Sequence, residues 1–141
     1  MAWKTAIRNR ARFAEDRLGP DALAEIGHAF VGSQDARLSR GLNVHDQPAR
    51  PLAPRYAERK RRKGLQAIRD WFYRGRTRRS IKVLSVSPGR IVVGPTDAQA
   101  ATILRIRNSD ERQYGVSPND KTVIARAVRL LRTVGRVIKV A

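Results

Sequence analysis

The chain has 141 residues, no cysteine, and a net charge of +18 from 30 Lys and Arg against 12 Asp and Glu. That length suits one domain with its own core, and an apolar content of 41% argues against wholesale disorder. Without cysteine there are no disulfides or thiolate metal sites, and no apolar run approaches the roughly 18 to 20 residues that span a bilayer. The N-terminal Met1-Ala2-Trp3-Lys4 leads into a charged stretch with no signal-peptide core, so a soluble protein with no membrane partner is expected.

Residues 2–18 read as a helix, with Trp3, Ile7, Ala11, Ala14 and Leu18 on one stripe and Gly19-Pro20 as its stop. Asp21 reads as the cap of a second helix that places Leu23, Ile26 and Phe30 on one face. It runs to about Arg40, with Gly32-Ser33 weakening its middle and Gly41 as a stop. A loop over 41–54 follows, because Pro48, Pro51 and Pro54 remove backbone donors. Pro54 opens a short helix, Arg55 to Lys63, closed by Gly64. Leu65, Ile68, Trp71 and Phe72 form an apolar patch of ambiguous period, and Arg74 to Ser80 is a basic turn or short helix.

The clearest β signal is a hairpin: Ile81, Val83, Leu84 and Val86, a turn at Ser87-Pro88-Gly89, and a return through Ile91, Val92 and Val93. Residues 97–107 fit a helix or a strand. Ser117-Pro118-Asn119-Asp120 is a strong helix start, leading into an apolar stripe from Val123 to Val134 that Gly135 ends. Val137-Ile138-Lys139-Val140 reads as a last strand or a docking tail. The expected fold is α+β over a single domain 1–141: N-terminal helices, a central β-hairpin or small antiparallel sheet, and a C-terminal amphipathic helix packed on it. A long basic, Pro-rich arm occupies about residues 41–80.

The charge sits in the middle of the chain. Residues 1–54 carry 8 basic and 6 acidic groups, residues 55–82 carry 12 and 2, and residues 83–141 carry 10 and 4. Such a field favours a polyanionic partner, either nucleic acid or an acidic protein surface. Two clusters carry it: Arg59-Lys60-Arg61-Arg62-Lys63, and Arg74, Arg76, Arg78 and Arg79. Arginine suits bidentate pairing with phosphate or carboxylate. Trp71, Phe72 and Tyr73 lie between the clusters as base-stacking platforms, or else Trp71 and Phe72 are core and the arginines a solvated face. Catalytic motifs are almost absent. His28 and His45 have no metal-ligand spacing and read as one packed and one exposed histidine. Glu15-Asp16 and Asp110-Glu111 are adjacent pairs whose side chains do not converge. No enzyme activity and no cofactor are expected.

Pro51-Leu52-Ala53-Pro54-Arg55-Tyr56-Ala57-Glu58-Arg59-Lys60 resembles the "APLSPRYAxRK" segment of the phage virion-morphogenesis, or tail-completion, family. In that family a "TGRLRRSI" turn and a hairpin ending in "VG" come next. The counterparts here are Gly75-Arg76-Thr77-Arg78-Arg79-Ser80-Ile81 and Ile91-Val92-Val93-Gly94. Arg112-Gln113-Tyr114-Gly115-Val116-Ser117-Pro118 sits where the family carries an Arg-aromatic-Gly element before a final helix. The resemblance covers about residues 42–130, and Ala100 to Ile106 replaces the family's "YAxIHxxG" segment. It implies an α+β structural subunit of a virion, assembled in the host cytoplasm into a ring near the head–tail junction or tail end. The implied partners are copies of itself and neighbouring neck and tail proteins, with DNA as a further contact near the head–tail junction. Arg76, Arg78 and Arg79 are then expected to make inter-subunit or loop-ordering contacts. The alternative that composition leaves open is a basic nucleic-acid-binding protein.

Overall fold

The computed structural model describes residues 5–8, 18–72 and 75–140, with 5–8 and 133–140 as backbone. The fold is α+β. Among the described residues, strands β1 (Thr5–Arg8), β2 (Ile81–Ser87) and β3 (Arg90–Pro95) form an antiparallel sheet in the order β1-β3-β2. Helices α1 (Pro20–Ser39), α2 (Pro54–Arg62), α3 (Arg76–Arg79), α4 (Ala98–Asp110) and α5 (Pro118–Val140) complete it.

The hairpin forms where its turn residues place it. Gly89 takes φ +68°, and the register runs from Ser87 opposite Arg90 to Ile81 opposite Pro95. The register shifts between Val83 and Ser85, a β-bulge that bends and twists β2. The third strand is a correction. Residues 5–8, expected within a helix over 2–18, pair with β3 from Thr5 opposite Val93 to Arg8 opposite Arg90. The free edge of β3 offers a row of backbone donors and acceptors that a helix leaves unsatisfied. The β-branched Thr5 and Ile7 suit that pairing. The rest of the expected first helix, apart from Leu18, lies outside the described residues.

α1 begins on Pro20, with Gly19 as its N-cap, so Asp21 stands in the first turn instead of capping. The helix runs unbroken through Gly32-Ser33. There Ser33 Oγ donates to Asp120 on α5, which holds the weak point in place. Leu23, Ile26, Phe30 and Leu38 bury against Ile81, Ile91 and Val93 of the hairpin and against Leu104 and Tyr114. Gly27 lets α1 sit close on the sheet. A Cβ at that position would lie 2.8 Å from Val83 Cγ2 and 2.9 Å from Ile91 Cγ2, whereas one at Gly32 meets nothing within 4 Å. Two glycines of one helix therefore predict opposite signs. Overpacking at Gly27→Ala costs about 1–3 kcal/mol, against a helix-propensity gain of about 1 kcal/mol, so urea denaturation should show a net loss. Gly32→Ala should stabilise by about 0.5–1 kcal/mol.

α2 starts at Pro54, and Lys63 and Gly64, the latter at φ +68°, close it. Residues 97–107 resolve as helix, with the Asp97 side chain accepting from the Gln99 and Ala100 amides as the N-cap of α4. At α5 the Ser117 hydroxyl accepts from the Asp120 amide and the Asp120 carboxylate accepts from the Ser117 amide, a capping box closed by aspartate. α5 lies along α1, with Ile124, Ala127, Val128 and Leu131 against the core. It does not end at Gly135, and Val137–Val140 are its last turn, neither strand nor tail. One interior glycine costs about 1 kcal/mol, too little to stop a long helix by itself.

Candidate interaction surface

The surface is carried by a buried polar framework centred on the loop between α4 and α5. Asn108, near the end of α4, accepts from the Gln113 and Tyr114 amides through Oδ1, both at 2.9 Å, and donates to Tyr114 O. That closes the loop on itself. Tyr114 turns inward, its hydroxyl donating to Val93 O on β3 at 3.0 Å. Gln113, almost fully buried, donates to Arg69 O at 2.6 Å and accepts from Trp71 Nε1 at 2.8 Å. Trp71 stacks on Tyr114, with centroids 6.4 Å apart.

From the other side, Arg37 of α1 enters this loop with no solvent exposure. It donates to Gln113 O, to Gly115 O at 2.8 Å, and to Asp120 Oδ2 at 3.2 Å. Burial pulls the Arg37 guanidinium below the usual arginine value, while the carboxylates of Asp120 and Asp46 act in the opposite direction. It stays a cation paired with a buried anion.

Residues 41–80, expected as a long arm, contain α2 and α3, and several contacts fasten them to the body (Tyr73 and Arg74 lie outside the described residues). The Val44 amide donates to Arg112 O, the Arg50 amide to Glu111 Oε2, and Asp46 Oδ2 accepts from the Asn119 amide at the start of α5. Lys60 is the main correction to the basic run. It is 1% exposed, and its Nζ donates to Asp70 Oδ1 and to Ile68 O. It fixes the segment after α2 and is closed to any partner. The reason is position: with Ala57 it forms the inward face of α2, three residues apart.

Arg59, Arg61, Arg62 and Lys63 remain exposed, joined by Arg55, with Glu58 the one acidic side chain of the helix. Arg61 and Arg62 reach Glu58 at 3.8 and 3.1 Å, exposed pairs that hold little energy. The second cluster is partly committed. Arg76 pairs with Asp97, and Arg78 pairs with Asp35 of α1 at 2.8 Å. The guanidinium of Arg78 lies 5.1 Å from the Phe72 ring centroid and that of Arg79 lies 5.8 Å from it, both within cation–π range. Arg74 and Tyr73 lie outside the described residues.

Trp71 thus packs against the core, one of the two roles that the sequence allowed, whereas Phe72 is half-buried beside Arg78 and Arg79. His28 and His45 are both exposed, which corrects the expectation of one packed histidine. α1 presents His28 on its solvent side, away from the Leu23-Ile26-Phe30 face. Among the described residues no group of three His, Asp or Glu converges as metal ligands would, and no helix is long and apolar enough to cross a membrane.

The Arg76 side chain, followed by the Ala100 amide, holds the Asp97 carboxyl below the usual carboxylate range, and Arg69 does the same for Asp110. A carboxyl lowered in the folded state adds stability above its unfolded value of about 4, and loses it as pH falls through the folded value. The cap of α4 should therefore persist in mildly acidic solution. Below about pH 4 the protection of the Gln99 and Ala100 amides, relative to their intrinsic exchange at the same pH, should fall, and the carboxyl-carbon titration of Asp97 should have its midpoint below that of an unfolded aspartate.

Neither a family model, nor a curated protein, nor a solved structure matches this chain.

Proposed function

We propose that the chain is a structural subunit of a phage or phage-derived particle, acting in tail completion or head–tail joining as a member of a ring. One observation carries the reading. The four segments that resemble the virion-morphogenesis family stand in that family's order, and two of them, the third and the fourth, are bonded directly. Lys60, in the first, holds Asp70 just ahead of the second. Ser80 O, in the second, accepts the Thr96 amide and hydroxyl just beyond the third. Tyr114, in the fourth, donates to Val93 in the third.

The fastened loops leave the α2 cations facing outward, where a neighbouring subunit or an acidic partner protein meets them. In a ring each subunit uses two different patches, and closure depends on their relative angle. The same exposed cations favour the second reading, a nucleic-acid-binding protein. Light scattering at low and high salt, with and without double-stranded DNA, separates the two. A discrete, salt-resistant oligomer without DNA supports the ring. A monomer that grows only with DNA and releases it as salt rises supports nucleic-acid binding.

A further inference from the structure

We propose that the cleft between α2 and α4 is a docking groove for an acidic, amphipathic polypeptide segment of another protein. This inference stands on the groove alone and does not require the ring. The cleft encloses about 440 Å³ and is walled by Leu52, Tyr56, Phe72, Ile103 and Ile106, with Trp71 also in its lining. α4 meets the core through Ala100 and Leu104, which are buried. Ile103 and Ile106, one turn apart, contribute nothing to that core and stand 38% and 58% exposed. Two aliphatic side chains left on one helix face beside an apolar cleft are the arrangement that receives anchor residues of a partner segment.

Charge selects the partner. Arg69, Arg76 and Arg107 line the cleft and no acidic residue does; Lys60, also in the lining, is paired with Asp70 and adds no free charge. The carboxylates that pair with Arg69 and Arg76, on Asp110 and Asp97, lie outside the lining. Arg107 lies on the rim with its guanidinium 5.9 Å from the Tyr56 ring centroid. A second copy of a chain with net charge +18 would bring like charge to this rim. Nucleic acid would satisfy the cations but leave the aliphatic floor unused. A segment with aliphatic anchors flanked by Asp or Glu satisfies both. Trp71 adds an independent sign: it holds φ +55°, a strained backbone for a large side chain, and such strain gathers at ligand clamps.

The test is fluorescence anisotropy with a labelled helical peptide of roughly 16 residues, with leucines at i, i+3 or i+4, and i+7 spacing and glutamates elsewhere. Its controls are the same peptide with serine for leucine, the same with lysine for glutamate, and a short DNA duplex. Only the acidic, leucine-bearing peptide should bind. Ile106→Ser and Arg107→Gln, both at exposed positions, should each weaken it about tenfold, while Leu130→Ser, exposed on α5 away from the cleft, should leave it unchanged. The proposal is overturned if that peptide does not bind, or if the serine peptide or DNA binds as tightly with no effect of Ile106→Ser. It is equally overturned if the protein self-associates through the groove and Ile106→Ser abolishes that self-association.

Discussion

Arg37→Met is expected to destabilise the protein by about 3–5 kcal/mol, the usual consequence of removing one partner of a buried ion pair. Arg37 and Asp120 have no side-chain exposure, so neither charge has water to fall back on. Removing the guanidinium strands the Asp120 carboxylate with donors from Ser33 and Ser117 alone. It also leaves the Gly115 carbonyl without the donor from Arg37. Asp120→Leu should be as damaging, because the arginine is then buried without its counter-charge. The double variant should lose less than the sum of the two, since no lone charge remains. Urea denaturation of the four proteins measures the cycle. Strict additivity would show that the pair is not coupled.

Along the run from Arg59 to Lys63, alanine substitution should be costly at one position. Lys60→Ala leaves Asp70 with no ammonium in a site where the two side chains are 2% and 7% exposed, and a loss of about 3–5 kcal/mol is expected. Asp70→Ala should have a similar effect, leaving Nζ with Ile68 O alone of its two acceptors and the Phe72 amide without its carboxylate acceptor. By contrast, Arg61→Ala and Arg62→Ala, at side chains 64% and 78% exposed, should stay within about 0.5 kcal/mol. If the proposed contacts are right, these two substitutions should weaken assembly or polyanion binding without touching the melting curve. A scan in which all five positions melt alike would remove the distinction between the inward lysine and the outward arginines.

What the sequence made legible was local. Pro20, Gly41, Pro54 with Gly64, Ser87-Pro88-Gly89 and Ser117-Pro118 each mark an end or a turn through their own backbone preferences, and the elements begin or stop there within a residue or two. β1 was hidden because its partner is β3, more than eighty residues away, and a short stretch such as Thr5–Arg8 fits a helical stripe as readily as an edge strand. The continuation of α5 past Gly135 was hidden for a related reason: glycine is a weak penalty, not a stop. In the candidate surface, the exposure of Arg59, Arg61, Arg62 and Lys63 follows from composition, but the inward turn of Lys60 does not. Its one sequence signal is Ala57, three residues earlier on the same face. Gln113, Asn108 and Arg37 carry no local signal at all. They are polar residues whose partners come from distant elements, and only the assembled fold identifies them as framework.

Negative-stain imaging of the purified protein tests the central proposal most directly. The account predicts closed rings of one diameter, retained at high salt and present without DNA. Dispersed monomers at every salt concentration would contradict it.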